Sequence, residues 1–299
     1  MAAPHSPIGS RRRLGAELRR LRNDAGMTLD EVAERMTCST SKISRLETGK
    51  GIPKIPDVRE LLRIYGVDDG SVQETLLRLV HDGRQHGWWE PLTDGVAPER
   101  FALESLDRYV ALENDATAVL SFDLTLIPGL LQTEGYLRAV LASALPHHAE
   151  EEIDLLVELR LKRQEALRRR DPAPLRMSAL LDESVLQRRV GGSAVMADQL
   201  EHLRTMAERP NITVAVLPFA AGLVRAHAGP FVLLEIPAEL GSDVVYIESH
   251  AHNQYLDGQP DVDLYRTVHG DAFRAALPPD RTGLLIDQHL ARHRRVAVP

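Results

Sequence analysis

Residues 27–50 have the sequence MTLDEVAERMTCSTSKISRLETGK, which contains two complete helix-start signals. Thr28 followed three residues later by Glu31 is a capping box, in which each side chain accepts a hydrogen bond from the backbone of the other residue. Ser39 is placed to cap a second helix, and Gly49 favours its end. The stretch therefore predicts two short helices joined by a polar turn.

The second of these helices contains only two large apolar residues, Ile43 and Leu46, whose spacing lets both face neighbouring helices. A helix that only filled a core would contain more. The outward face has four polar residues: Thr40, Ser41, Ser44 and Arg45. A helix that enters the DNA major groove needs such a face, because it must approach base edges closely. The pattern predicts a helix-turn-helix module with this segment as recognition helix.

Apolar residues at helical spacing continue on both sides of the stretch. They form four stripes: Leu14, Leu18 and Leu21; Leu29, Val32, Ala33 and Met36; Val58, Leu61, Leu62 and Tyr65; and Val72, Leu76, Leu79 and Val80. With the recognition helix, these stripes predict five short helices with tight connections. We therefore expect residues 1–85 to form an all-α domain.

The composition is typical of a soluble two-domain protein. The chain has 299 residues, 43% of them hydrophobic and 26% charged, and this length favours two domains over one. No uncharged stretch is long enough to span a membrane, and the first residues lack the apolar segment of a signal peptide. The single cysteine, Cys38, excludes an internal disulfide and fits a reducing compartment. We expect a cytoplasmic protein with no membrane partner.

Charge is distributed unevenly along the chain. Residues 1–63 contain 13 Lys and Arg against 8 Asp and Glu, whereas the remainder contains 23 against 35. The overall net charge of −7 hides this asymmetry. A basic module followed by an acidic one predicts nucleic-acid contact by the first and another role for the second.

The sequence pattern changes after residue 85. Turn-forming residues mark a junction over residues 86–98: Gly87, Pro91, Gly95 and Pro98. Trp88 and Trp89 lie in this junction, and they either pack between the two domains or form a partner surface.

Residues 99–299 alternate between helical and strand-like patterns. Helices are predicted over residues 99–118, 133–144, 151–170, 193–209, 261–276 and 279–294. The strand-like runs are AVLSFDL, LRMSALL, NITVAVLPF, FVLLEIP and DVVYIES. The carboxy-terminal domain is therefore predicted to be mixed α+β or α/β, with a strand order that the sequence does not reveal.

Residues 11–66, and above all LGAELRRLRNDAGMTLDEVAERMTCSTSKISRLETGK, resemble the helix-turn-helix family named after the Xre and phage repressors. The resemblance implies base-edge contacts by Thr40, Ser41 and Arg45, with Ser44 as a fourth. It also implies phosphate contacts by Thr28 and Lys42. Arg22 and Glu47 match a family ion pair between the first helix and the end of the recognition helix; two solvated surface charges are the alternative.

Arg45 is the strongest candidate for reading a base directly, because its guanidinium can donate twice to O6 and N7 of guanine. Lys50 and Lys54 follow the recognition helix and are expected to neutralise phosphates. The run Arg11, Arg12 and Arg13 is expected either to do the same from an amino-terminal arm or to be solvated charge. One such module rarely supplies enough interface alone, so we expect a homodimer on an inverted repeat of double-stranded DNA.

A second resemblance extends along nearly the whole chain. Its motifs are WWEPL, IPGLLQTEGYLRAVL, LRLKRQEAL, LLDESVLQRRVGG, MADQLEHLRTMAERPNITVAVLPFAAG and GPFVLLEIP. They look like actinobacterial Xre-type regulators with an uncharacterised carboxy-terminal domain, sometimes described as antitoxin-like. The resemblance implies transcriptional regulation, often with a small protein encoded by the adjacent gene as partner.

Signals for catalysis are weak. The pair His250 and His252, with Asp257 nearby, offers too few ligands for a metal site. VGGS at residues 190–193 could hold an anion, but it lacks the lysine of a phosphate loop and fits a helix-start turn. The run ELRLKRQEALRRR at residues 158–170 either touches DNA or forms a solvated helix face. We expect no enzyme activity, no metal and no cofactor.

These observations predict a sequence-specific DNA-binding transcriptional regulator whose carboxy-terminal domain binds a partner protein or effector. One alternative is an antitoxin-like protein that sequesters a small cognate protein and autoregulates through its helix-turn-helix. Another is an enzyme tethered to DNA by the amino-terminal module.

Overall fold

The computed structural model describes residues 6–94, 96, 106–171, 173–249 and 253–297. Five helices occupy its first part: α1 (Pro7–Asp24), α2 (Leu29–Arg35), α3 (Thr40–Glu47), α4 (Ile55–Ile64) and α5 (Gly70–Asp82). All four predicted apolar stripes are buried or half-buried in one shared core, together with Ile43 and Leu46. The prediction of an all-α, five-helix amino-terminal part is confirmed.

The ends of α2 and α3 follow the capping signals. The Thr28 hydroxyl accepts a hydrogen bond from the Glu31 N–H at 3.3 Å, and the Glu31 carboxylate accepts one from the Thr28 N–H at 2.7 Å. The Ser39 hydroxyl accepts from the Lys42 N–H at 3.2 Å. Gly49, just after α3, has φ of +68°, in the left-handed region that favours glycine. Short-range sequence signals thus fix both helices.

The remaining chain alternates helices and strands. The helices are α6 (Glu90–Thr93), α7 (Leu106–Asp115), α8 (Glu134–Ala144), α9 (Glu150–Gln164), α10 (Ser184–Gln187), α11 (Ser193–Ala207), α12 (Gln259–Ala275) and α13 (Pro279–Ala297). The strands are β1 (Ala118–Asp123), β2 (Arg176–Asp182), β3 (Ile212–Leu217), β4 (Phe231–Glu235), β5 (Val244–Ile247) and β6 (Gln254–Leu256).

The six strands form one mixed sheet in the order β3-β2-β1-β4-β5-β6. β1, β2 and β3 run parallel, whereas β4 is antiparallel to β1, and β5 and β6 continue the antiparallel pattern. Apolar cores cover both faces, one containing Leu200 of α11 and Ile286 of α13, the other Val268 of α12. The mixed α+β fold class is confirmed.

The outer edge of β3 is closed by the segment that joins α12 to α13. The Leu277 N–H donates to the Val216 carbonyl at 2.9 Å. The Val216 N–H is directed at the Thr282 hydroxyl, 3.4 Å away. At the opposite edge of the sheet, β6 has only three residues.

The charged run in α9 is only partly a solvated helix face. Glu158 and Lys162 form an exposed pair at 2.6 Å. Arg163 instead points inward, and its guanidinium donates to both carboxylate oxygens of Glu113 at 2.7 and 2.8 Å. The same guanidinium lies 5.1 Å from the centre of the Tyr109 ring. Arg163 therefore has a structural role, because a buried arginine needs a carboxylate partner such as Glu113.

The junction between the two parts is apolar and includes one of the two tryptophans. Trp89 is 2% exposed and packs in a cluster with Leu92, Val110, Ala111 and Leu159. Ile8 of α1 packs against this cluster. Trp88 meets Trp89 edge-on at 5.7 Å but is 40% exposed. Packing between the domains therefore fits Trp89, whereas Trp88 leaves much of its ring at the surface.

Candidate nucleic-acid interface

The orientation of α3 is set by its buried face. Ile43 and Leu46 are 0% and 5% exposed and lie in the amino-terminal core with Val32 and Ala33 of α2. Because these two anchors are fixed from behind, the opposite face of α3 must point away from the five-helix core.

Among the described residues, three of the four side chains predicted to read bases have no intramolecular hydrogen-bond partner or ion pair and are at least partly accessible. Ser41 and Arg45 are exposed, and Ser44 is half-buried. Within the described part of the chain, no carboxylate forms an ion pair with Arg45. Its guanidinium is therefore available for the twofold donation that guanine accepts.

Thr40 differs from these three because its hydroxyl is already engaged. It donates to the Asp30 carboxylate at 2.8 Å, across the turn between α2 and α3. Thr40 is also half-buried. The contact fixes the hydroxyl and leaves its oxygen as an acceptor, so Thr40 suits a donor on a base better than an acceptor.

Both residues predicted to contact phosphates from the helices have partners within the protein. The Thr28 hydroxyl lies 2.9 Å from the Glu31 carboxylate. The Lys42 ammonium forms an ion pair with Asp57 of α4 at 2.8 Å. A phosphate would therefore compete with a carboxylate at both positions, whereas exposed Lys50 and Lys54 are the more accessible cations in this region.

The loop after α3 folds back onto the recognition helix. The Gly51 N–H donates to the Arg45 carbonyl at 2.9 Å, and the neighbouring Ile52 is 66% exposed. Lys50 thus lies close to the carboxy-terminal turn of α3, where the backbone of bound DNA would pass.

The predicted ion pair between Arg22 and Glu47 is present. The Arg22 guanidinium donates to both Glu47 carboxylate oxygens at 2.7 and 3.1 Å and to the Met27 carbonyl at 2.7 Å. Both side chains are largely buried. The hydrogen bond with Glu47 raises the pKa of Arg22 despite the opposing effect of burial. The pair ties α1 to the end of α3, so the alternative of two solvated charges is wrong.

The expectation of an amino-terminal arm is also wrong, because Arg11, Arg12 and Arg13 lie within α1. All three are half-buried. Burial lowers the pKa of Arg11 and of Arg12. Arg12 donates to the Ser242 carbonyl in the carboxy-terminal part, so its guanidinium has a protein partner where a phosphate was expected. Pro7 at the start of α1 and the Ser6 cap make this segment helical.

Sequence reasoning missed Asp30 and Asp57, the acidic partners of Thr40 and Lys42. They lie 10 and 15 residues from those partners, so helical periodicity gives no signal for either contact. Only the packing of α2 and α4 against α3 brings them together.

Polar residues also gather at the carboxyl ends of the parallel strands, where open α/β sheets bind ligands. Asp123 ends β1, and burial raises its pKa to about 7. Asp182 ends β2 and pairs with His227 at 3.2 Å. The other ring nitrogen of His227 accepts from the Val224 N–H at 3.0 Å, so this histidine has partners on both sides. The Asp123 carboxylate accepts from the Ser121 hydroxyl at 2.6 Å, so Asp123, Asp182 and His227 all have partners within the protein.

The described residues contain no group of three or more His, Cys, Asp and Glu side chains that could hold a metal ion. His250 and His252 lie outside the described residues. Gly191 and Gly192 have φ of +68° and +92° and lead into α11, as expected for a helix-start turn.

None of the described helices is long and apolar enough to cross a membrane.

Comparison with known protein families gives two matches. Residues 13–75 match a family described as Helix-turn-helix domain, and this range contains α2, α3 and α4 together with most of α1. Residues 106–288 match a second family, which covers all six strands. No curated protein and no solved structure matches the chain. Because the second match covers more than half of the sequence, the chain belongs to the family described as Domain of unknown function (DUF5753) and has a helix-turn-helix domain at its amino-terminal end.

Proposed function

We propose that this protein is a sequence-specific transcriptional regulator that binds double-stranded DNA with α3 in the major groove. One observation carries the proposal: α3 buries Ile43 and Leu46 and leaves Ser41 and Arg45 exposed on its other face. The helix-turn-helix match supports a DNA-binding role for the same residues.

In the proposed complex, Arg45 donates to O6 and N7 of a guanine, and Ser41, Ser44 and Thr40 contact neighbouring base edges. Lys50 and Lys54 neutralise phosphates next to α3. Thr28 and Lys42 reach phosphates by exchanging their protein partners for phosphate oxygens, since both are paired in the free protein. Of the run Arg11, Arg12 and Arg13, the first and last stay candidates for phosphate contact.

We propose further that the active form is a homodimer on an inverted repeat. A single module of this size buries about 600–1,000 Å² on DNA, which rarely gives tight specific binding. Two modules related by a twofold axis would contact half-sites about one helical turn apart.

We assign DNA binding to residues 1–85, a junction to residues 86–98 and a binding rather than catalytic role to residues 99–299, in the cytoplasm. The acidic balance of the later residues supports a partner or effector that differs from DNA.

The DNA-binding proposal is tested by selecting preferred duplexes from a random pool and then measuring the affinities of Arg45→Ala and Lys50→Ala. Arg45→Ala should lose about 1–3 kcal/mol of discrimination at one base pair, because a twofold contact to that base is removed. Lys50→Ala should weaken selected and random duplexes alike and reduce the salt slope by about 1, because it removes a phosphate contact. Equal losses on both duplexes for both variants, or a wild-type protein without preference, would contradict the proposal.

A second candidate function is sequestration of a small cognate protein, with DNA binding serving autoregulation. The excess of Asp and Glu over Lys and Arg after residue 63 favours it, since such a surface suits a basic partner. The small protein encoded by the adjacent gene should then form a stable complex with both the wild type and Arg45→Ala, and absence of any complex would reject this candidate.

A further inference from the structure

Helix α1 lies directly against the end of the recognition helix. A Cβ atom at Gly15 would be 2.5 Å from the Glu47 carbonyl oxygen and 2.6 Å from that of Leu46. Only glycine fits this position, because any side chain would collide with backbone. The α1 backbone is therefore in direct contact with the last turn of α3.

The first turn of α1 is fixed to the carboxy-terminal part of the chain. The Ser6 N–H donates to the Asp115 carboxylate at 2.9 Å, and the Ser6 hydroxyl donates to its second oxygen. A Cβ atom at Gly9 would lie 2.1 Å from the Asp115 carboxylate, so the α1 backbone packs directly on the Asp115 side chain at the end of α7. Asp115 is buried in this contact.

Arg12 takes part in both contacts. A Cβ atom at Gly49, which follows α3, would lie 2.8 Å from the Arg12 Cα and 2.9 Å from both its backbone N and its Cγ, so Cγ is the side-chain atom in this contact. At its other end, the Arg12 guanidinium donates to the Ser242 carbonyl. A Cβ atom at Gly241 would be 3.2 Å from Nε and Nη2 of Arg12. One side chain thus spans from the loop after α3 to the loop before β5.

The charges around Arg12 come from the carboxy-terminal part. Burial lowers its pKa most, Arg108 lowers it further, and three carboxylates raise it: Asp257, Asp115 and Asp243. Nη1 of Arg12 is buried without a hydrogen-bond partner among the described residues. The side chain is therefore held by one carbonyl and by long-range attraction, and it can be displaced more readily than a fully paired arginine.

We propose that Arg12 is a positioning residue for DNA binding, which transmits the state of the 241–243 loop to the end of the recognition helix. The inference rests on the proposed DNA-binding function and adds a means of regulating it. A partner that displaces the 241–243 loop releases the Arg12 guanidinium, loosens the packing of its Cγ against Gly49 and lowers operator affinity. The change in operator affinity is set by how much more tightly the partner binds the protein with the 241–243 loop displaced than with that loop in place.

The test compares Arg12→Ala with Arg19→Ala in the full chain, using a duplex selected by the wild type. Arg19 is exposed on the same helix, so both variants remove one positive charge from α1. Arg12→Ala should bind the selected duplex about tenfold more weakly than Arg19→Ala, within the usual range of coupling between sites. Amide hydrogen exchange at residues 49–51 should be faster in Arg12→Ala only.

A substitution on the carboxy-terminal side separates positioning from a general loss of stability or charge. Gly241→Ala changes no charge, but its Cβ would press on Arg12 and strain a backbone at φ of +122°. It should also weaken the selected duplex about tenfold, and the double variant should lose no more than Arg12→Ala alone. Gly222→Ala is the matched control, since Gly222 has φ of +69° and open space around its Cβ position.

Equal losses in Arg12→Ala and Arg19→Ala, unchanged binding by Gly241→Ala, or additive losses in the double variant would each overturn the positioning role while leaving DNA binding intact. A wild-type protein that selects no duplex would instead refute the proposed function.

Discussion

Arg22 and Glu47 lie 25 residues apart, yet they form a bidentate pair with little exposure to water. This contact could be anticipated only from the family resemblance. The pairs Thr40 with Asp30, Lys42 with Asp57 and Arg163 with Glu113 could not, because each depends on how helices pack. The sequence thus indicated which side chains lie on the outward face of α3, whereas their partners required the tertiary structure, and their contacts with DNA stay a prediction.

Replacing Glu47 by Ala should destabilise the protein by about 3–5 kcal/mol, because it leaves the Arg22 guanidinium buried without its carboxylate. Chemical denaturation of the wild type and the variant measures the difference. The control is Glu60→Ala, whose pair with Arg63 is exposed and should contribute nothing measurable. A double variant, Arg22→Met with Glu47→Leu, should recover most of the loss. A Glu47→Ala protein as stable as Glu60→Ala would show that the pair does not hold α1 to α3.

At the scale of elements, the sequence predicted all five amino-terminal helices and the cores of five strands. Capping residues and periodicity act over a few positions, so they identify such segments well. β6 was missed because three residues carry too little pattern, and the four-residue α6 and α10 were missed for the same reason. The strand order was not predictable, because pairing joins residues that are distant in sequence. The assigned boundaries at residues 85 and 98 stay a prediction.

The cap of the recognition helix provides a test at this scale. Ser39→Ala should destabilise the protein by about 1 kcal/mol, because the Lys42 N–H loses the capping Ser39 hydroxyl and keeps only the Ser39 carbonyl as acceptor. Ser39→Asn keeps a capping oxygen and should stay close to the wild type in thermal denaturation. Fraying of the first turn of α3 should also weaken binding to a selected duplex in the alanine variant alone. Identical behaviour of the two variants would show that the cap is dispensable.

At the scale of the whole molecule, a basic helical part and an acidic α+β part share an apolar junction. Trp89 is central to it, with neighbours from α6, α7 and α9 and with Ile8 of α1 packed against the cluster. The division into two domains by charge and composition stays a prediction. Packing between them was one of the two roles expected for the tryptophans, whereas a contact through the start of α1 was not foreseen, since Arg11, Arg12 and Arg13 were expected to lie in an amino-terminal arm. Its first turn is instead held by Asp115.

Trp89→Ala should cost about 3–5 kcal/mol, because it opens a cavity between the two parts. Trp88→Ala is the control, because this neighbouring tryptophan is 40% exposed and fills less of the interior. Denaturation followed by circular dichroism measures both variants. Equal destabilisation by the two substitutions would contradict the assignment of Trp89 to the junction core.

The closed outer edge of β3 limits how two copies of the chain can associate. Unpaired edge strands are templates for intermolecular sheet extension and for amyloid-like aggregation. Here the Leu277 amide and the Thr282 hydroxyl occupy the free groups of Val216, and β6 is too short to offer a long template. Sheet extension across Val216 is therefore blocked, and the proposed homodimer is expected to form through helical or loop surfaces.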